Sequence, residues 1–230
     1  MGPEPAPPRF YGRRKGRPLR AGQRDLLLGL LPRLTVALPP EGQALDPAAL
    51  FDPRPRSVWL EIGFGAGEHT AAQAKANPQV GLIGCEVFAN GLGGLLTLIE
   101  AEAIANIRIF PEDARRLLPC LPEASIDGAF LLFPDPWPKK RHARRRFIGP
   151  DNLAQLARIL ADGAPLRLAS DHPVYVDWAI RHLAASPDFT LTRHPDRPVD
   201  WPPTRYESKA RQAGAACAYL TALRRPRPKV

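Results

Sequence analysis

The residues of this chain best suited to chemistry are four carboxylates and three glycines. Glu61, Glu86, Asp113 and Asp135 stand at or just beyond the ends of short apolar runs: Val58 to Ile62, Val80 to Cys85, Ile107 to Phe110 and Ile126 to Phe133. Such runs read as buried strands, and open α/β sheets bind ligands at the carboxyl ends of their strands. Gly63, Gly65 and Gly67 follow the first run as G-x-G-x-G. A strand, a glycine loop and then a helix suggest a nucleotide-like ligand at a helix N-terminus. The spacing departs from the G-x-G-x-x-G of dinucleotide folds, and without a Walker lysine there is no P-loop. A row of acids would repel a pyrophosphate. It would favour S-adenosylmethionine, whose sulfonium, amino group, ribose diol and adenine amine offer positive charge or donors to carboxylates. Glu86, 19 residues past Gly67, is placed for the ribose hydroxyls, as the acid is in dinucleotide folds. Asp113 is placed for the adenine end. A merely structural tight turn is the competing reading of the glycines.

Asp135 lies in Leu131 to Phe147, LLFPDPWPKKRHARRRF. Pro134 and Pro136 fix φ and remove two donors, so the strand must stop there. The carboxylate then sits at a surface beside Trp137, which is placed to stack on a base or to join the core. Lys139, Lys140, Arg141, Arg144, Arg145 and Arg146 follow, with no acid before Asp151. These six are expected to contact phosphates, against the plainer alternative of a solvated face.

Strands alternating with helices must position these groups. Helices are expected over Gln23–Leu34 (stopped by Pro32), Asp46–Phe51, Glu68–Ala76, Ala89–Ala103, Ala114–Leu118, Asp151–Ala161 and Pro173–Ala185. Beyond the four strands already named, further ones are expected over Leu166–Ala169, Phe189–Arg193 and Ala215–Leu223, the last two separated by a Pro-rich loop. That order gives an α/β fold with a mostly parallel seven-stranded sheet, Rossmann-like, with helices on both faces. The division is a basic arm over 1–22, one domain over 23–223 and a basic tail over 224–230, with no internal repeat.

Composition supports one such domain. The chain has 230 residues, 44% of them hydrophobic, and a net charge of +9. More than half of its basic residues fall in 9–24, 139–146 and 224–229, and clustered charge points to a polyanion, most often nucleic acid. Phe10 and Tyr11 among the arginines of the arm favour RNA, since aromatics stack on bases while arginines take phosphates. Cys85, Cys120 and Cys217 form no CxxC and read as reduced residues. The start has no apolar signal core and no myristoylation pattern, and no apolar run near it spans a bilayer, so a cytoplasmic protein without a membrane is expected. The five histidines show no metal spacing and no GxSxG elbow is present; neither metal nor covalent nucleophile is implied.

LEIGFGAGEH (60–69), GCEVF (84–88), EDA (112–114), LLFPDPWPKKRHARRRF (131–147) and TRYE (204–207) resemble the bacterial tRNA (guanine-N7-)-methyltransferases. The resemblance runs from about residue 9 to residue 223. It implies a class I methyltransferase that uses S-adenosylmethionine, releases S-adenosylhomocysteine and modifies the guanosine at position 46 of the tRNA variable loop. It carries cofactor contacts onto Glu61, Glu86, Asp113 and Asp135, beside the glycine loop, and the active-site role onto Asp135. Substrate contacts are carried onto Lys139, Asp171, Thr204, Arg205, Tyr206 and Glu207. Ala143, Ser170-Asp171-His172 and the Ala-rich 210–218 depart from the family's usual residues, which bears on tRNA contacts more than on the chemistry. Neutral guanine carries a lone pair on N7, so the displacement needs no general base; it needs positioning and negative potential where the cation develops, which is the role expected of Asp135. Another RNA methyltransferase and a catalytically inactive RNA-binding protein are the alternatives. A D-P-P-Y-type amino methylase needs two adjacent prolines before its aromatic, and this chain has a single proline between Asp135 and Trp137. Oligomeric state, monomer or homodimer, is open.

Overall fold

A computed structural model describes Tyr11, Gly12, Arg14 and residues 16–228. Of the arm expected over 1–22, residues 1–10, Arg13 and Lys15 lie outside the described residues, as do 229–230 of the tail.

Seven strands form one sheet: β1 (Ser57–Ile62), β2 (Val80–Cys85), β3 (Ile107–Phe110), β4 (Gly128–Leu132), β5 (Pro165–Ser170), β6 (Phe189–His194) and β7 (Ala218–Arg224). Their order is β3-β2-β1-β4-β5-β7-β6. The first five pair in parallel, and β7 runs antiparallel to both β5 and β6. Parallel strands are covered on both faces, which is why β2 and β4 read as unbroken apolar runs. Leu82 and Ile83, adjacent in β2, are both fully buried and point into opposite layers.

The helices are α1 (Ala21–Gly29), α2 (Leu31–Leu34), α3 (Glu68–Ala76), α4 (Ala89–Glu102), α5 (Ala114–Leu117), α6 (Pro150–Ile159), α7 (Pro173–Ala185) and α8 (Arg205–Gln212). Leucines of α1 and α2 pack with Ala71 and Ala74 of α3 and Leu92, Leu95 and Leu96 of α4 on one face of the sheet. Leu117 of α5, Leu153 and Leu156 of α6 and Tyr175 and Leu183 of α7 pack on the other. The chain reverses its direction of sheet growth between β1 and β4, the switch point at which such sheets open a crevice.

Several expected boundaries move. The helix over 23–34 is two helices, because Pro32 begins a new helical turn instead of only ending one. The helix expected from Asp151 starts at Pro150, with Gly149 as its N-cap and Asp151 in its first turn. The fourth strand is shorter than Ile126–Phe133: Ile126 makes an isolated bridge to Leu160, and Phe133 turns away at φ 49°. The Pro-rich loop between the last two strands contains α8, capped by Thr204, whose hydroxyl accepts from the Glu207 backbone N–H at 3.0 Å. The basic run 139–146 holds a 3-10 helix, Lys140–Arg145. Among the described residues no helix is long and apolar enough to cross a membrane.

Candidate active site

Four neighbouring strands deliver the four carboxylates to one edge of the sheet. Along the order β3-β2-β1-β4 they fall as Asp113, Glu86, Glu61 and Asp135. All four line one cavity of about 750 Å³, together with Gly63, Gly65, Phe133, Pro134, Trp137, Arg145, Thr204 and Tyr206.

The glycine loop sits between β1 and α3 with φ of 74°, 61° and 85° at Gly63, Gly65 and Gly67, a region that L side chains avoid. It lies directly on α4. A Cβ at Gly91 would come within 2.2 Å of the Gly65 carbonyl oxygen, so only glycine permits that approach. Gly91 is a requirement of the site that nothing in the sequence pattern singles out. Gly63, in the cavity wall, would put a Cβ into open space; its absence leaves room for a ligand.

Each acid has its own anchoring. Glu61 is 3% exposed. Its Oε2 accepts from Thr70 Oγ1 at 2.7 Å and lies 2.9 Å from His69 Nδ1, both in the first turn of α3. Glu86 accepts on Oε1 from the N–H groups of Val87 (2.8 Å) and Phe88 (2.9 Å), and on Oε2 from that of Gly65 (2.9 Å). It thereby clips the glycine loop to the end of β2. Burial pushes the Glu86 carboxyl up from its ordinary value and the charge of Asp135 adds to this, while the three N–H bonds pull it back. Asp113 caps α5 by accepting from the Arg115 N–H at 3.0 Å, and the Arg115 guanidinium pairs with it. Asp135 is exposed at the cavity mouth, between Phe133 and Trp137, whose φ values of 49° and 42° are unusual for such bulky residues. Strain of this kind persists only where surrounding structure holds it. Here Arg146 does so: its guanidinium donates to the carbonyls of Pro136 (3.0 Å) and Trp137 (2.9 Å).

Arg146 is thus buried and structural, at 7% exposure, and leaves the expected phosphate-facing set. Arg145 lies between two rings, 4.6 Å from the Tyr11 centroid and 4.8 Å from that of Trp137. Lys139, Lys140, Arg141 and Arg144 are exposed. Trp137 is half-buried and meets Tyr11 edge-on at 6.5 Å, so the arm reaches the site.

The carried-over substrate residues do not all converge. Thr204 and Tyr206 are in the cavity wall; Lys139, Asp171, Arg205 and Glu207 are not. Glu207 is buried, accepts from the Tyr219 hydroxyl at 2.7 Å and pairs with Arg197 and Arg211, each at 3.1 Å. Burial pushes Tyr219 up to about 12, so it keeps the proton it donates. The geometry gives Glu207 the work of fastening α8 to β7. Among the described residues no cluster of His, Cys, Asp and Glu stands ready for a metal ion.

The chemistry of this wall suits S-adenosylmethionine: acids for hydroxyls, amines and a sulfonium, and a loop without side chains. A family model described as a putative methyltransferase matches residues 55–220. Among solved structures, a 16S rRNA methyltransferase, KamB, superposes with a TM-score of 0.55 at 14% identity, over 76% of this chain and 90% of that one. A 16S rRNA (adenine(1408)-N(1))-methyltransferase from Catenulisporales acidiphilia gives 0.52 at 18% identity, over 82% and 95%. These likenesses establish the fold, that of class I methyltransferases. Three relatives named tRNA (guanine-N(7)-)-methyltransferase are closer in sequence. That of Rhodospirillum rubrum is 55% identical, covering 95% of this chain and 89% of its own. That of Paramagnetospirillum magneticum is 54% identical over 93% and 92%, and that of Paracoccus denitrificans 46% over 96% and 98%. Identity of that order over nearly the full length leaves one family, and the chain belongs to the tRNA (guanine-N(7)-)-methyltransferases.

Proposed function

We propose that this protein transfers a methyl group from S-adenosylmethionine to N7 of the guanosine at position 46 in the variable loop of tRNA. The observation that carries the reading is the order of the carboxylates along the sheet edge. Adenine, ribose and amino-acid moiety follow one another in the cofactor, and the sulfonium that joins the last two carries the methyl group. Asp113, Glu86 and Glu61 follow one another at the carboxyl ends of β3, β2 and β1, and Asp135 stands beyond the end of the next strand, β4. Asp113 would take the adenine amine, Glu86 the ribose hydroxyls and Glu61 the amino group, and Asp135, next along the sheet, would face the methyl group on the sulfonium. When bound, the cofactor supplies the methyl group on a sulfonium, an electrophile that needs no metal.

The chain's residues then have little proton chemistry to do. Guanine N7 attacks with its own lone pair. Asp135 holds negative charge where the ring becomes cationic, which favours the transition state over the neutral ground state. The grip of Arg146 keeps the Pro-Asp-Pro turn in place, so Asp135 is oriented before the substrate arrives. Tyr206 and Thr204 line the same cavity, with the Tyr206 ring against the glycine loop. Lys139, Lys140, Arg141 and Arg144 meet tRNA phosphates, Asp171 and Arg205 are the further substrate contacts that the resemblance carries over, and Glu207 serves by holding α8 in place. The protein is cytoplasmic, as its tRNA substrate requires, with residues 1–22 as a basic arm ahead of a single methyltransferase domain.

Incubation with methyl-labelled S-adenosylmethionine and two transcripts of one tRNA, with guanosine or adenosine at position 46, tests this. Label in the first and none in the second is expected. Equal label in both sinks the position, and no label in either sinks the activity.

A further inference from the structure

His69 is buried beside the glycine loop, and the reaction outlined above gives it nothing to do. Its Nδ1 lies 2.9 Å from Glu61 Oε2 and its Nε2 lies 3.4 Å from Gln73 Nε2. The orientation of the Gln73 amide follows from Asn77, whose Nδ2 donates to Gln73 Oε1 at 3.2 Å. The Gln73 amide nitrogen is therefore turned to the imidazole, and it donates as well to the Asp200 carbonyl at 3.3 Å. An imidazole that accepts at Nε2 carries its proton on Nδ1 and donates there. The direction of the chain is thus fixed: Gln73 donates to His69, and His69 donates to Glu61. His69, Gln73 and Glu61 are each 3% exposed, and the edge of the His69 ring packs on Phe130 at 4.8 Å.

The two side-chain bonds that Glu61 accepts fall on one oxygen. Thr70 Oγ1 also donates to Oε2, and Oε1 has no partner among the described residues, although Glu61 lines the cavity. A core histidine that merely satisfied a buried acid would have no reason to leave one oxygen over. We infer that His69 is a positioning residue for cofactor binding: it holds Oε2 of Glu61 so that Oε1 faces the amino group of the cofactor's amino-acid moiety. Gln73 ties this arrangement to the segment at Asp200, which leads into Thr204 and α8. The inference rests on the cofactor reading given above and adds a residue to it, in the way that outer-shell partners orient first-line ligands in metal sites.

Calorimetric titration with S-adenosylhomocysteine and with methylthioadenosine tests it, because the second lacks the amino-acid moiety. His69→Leu removes the donor at similar bulk. The expected result is an affinity for S-adenosylhomocysteine about tenfold weaker, the worth of one hydrogen bond to a charged group, with methylthioadenosine unchanged. His69→Asn, whose side-chain amide can replace the Nδ1 donor, should restore the lost affinity. If His69→Leu does not fold, Gln73→Met frees the imidazole from its orienting partner and should weaken S-adenosylhomocysteine alone, by less. Equal weakening of both ligands, or of neither, overturns the inference. A wild-type protein that binds neither ligand removes the cofactor reading itself, and this inference with it.

Discussion

In the proposed mechanism Asp135 works by charge and place, without moving a proton. Replacing it by alanine should leave the affinity for S-adenosylhomocysteine largely intact and lower kcat about a hundredfold, the usual cost of removing one preorganised electrostatic partner. Turnover near wild type would remove it from the mechanism. Glu86 gives a prediction in pH. Burial raises its pKa in the folded protein. For a raised carboxyl, the contribution to stability is present below the unfolded pKa and is lost as pH rises through the folded one. Ionising Glu86 is therefore at the expense of the fold, and in the proposed cofactor arrangement the ribose hydroxyls need the anion. Cofactor affinity should weaken on acidification from a higher pH than an exposed glutamate would give. Titration across the acidic range checks this, and Glu86→Gln should flatten that part of the profile. The convergence of Glu61, Glu86, Asp113 and Asp135 on one cavity was legible in the sequence because each ends an apolar run. His69 and Gln73 were not: on a helix of alternating small and polar residues, nothing in the spacing tells an inward polar side chain from an outward one.

The Pro134-Asp135-Pro136-Trp137 turn is as good as the residues that hold it. Arg146 makes two bonds to its carbonyls and stacks over Trp178 at 4.7 Å. Arg146→Ala should cost about 2–3 kcal/mol of stability, from losing buried bonds made by a charged donor, and should lower kcat with it. Arg146→Lys should recover little, since an ammonium cannot reproduce the planar fork. Urea unfolding and steady-state rates together measure both. A basic run carries no mark of which member turns inward, so the sequence placed Arg146 with the phosphate contacts. Helix α8 was hidden for another reason. Its N-terminal flank, Pro198 to Thr204, is proline-rich, and its residues are mostly polar, so no apolar stripe announces it. Only the Thr204–Glu207 cap marks its start, and tertiary bonds to Glu207 complete it.

Across the whole molecule, the charge divides into a surface that can meet RNA and a part that is already spent internally. Arg227, in the basic tail, pairs with Asp162 and Glu123 and donates to the carbonyls of Arg158 and Leu160 at the end of α6. Arg224 is buried and donates to the Ala157 carbonyl at 2.7 Å. By sequence these belong with the polyanion-seeking clusters; their partners show a fastening role. The logarithm of tRNA affinity should therefore fall steeply and linearly with that of salt concentration. Replacing Lys140 and Arg141 by alanine should make that slope shallower, by about one unit for each phosphate no longer neutralised. Arg227→Ala should leave the slope unchanged and lower the melting temperature. Filter binding over a salt series and thermal melts separate the two. The seven-strand alternation itself was readable throughout, because buried parallel strands are continuous apolar runs; the antiparallel placement of β7 between β5 and β6 was not, since strand order is set by packing that no local pattern records.

The central claim, methyl transfer to N7 at one nucleotide, has a direct chemical readout. Borohydride followed by aniline cuts RNA at 7-methylguanosine. A tRNA transcript incubated with the protein and S-adenosylmethionine should be cut at position 46 and nowhere else, and the same transcript without cofactor should stay whole. Methyl incorporation without that cut would place the methyl group on another atom or another base, and would contradict the account.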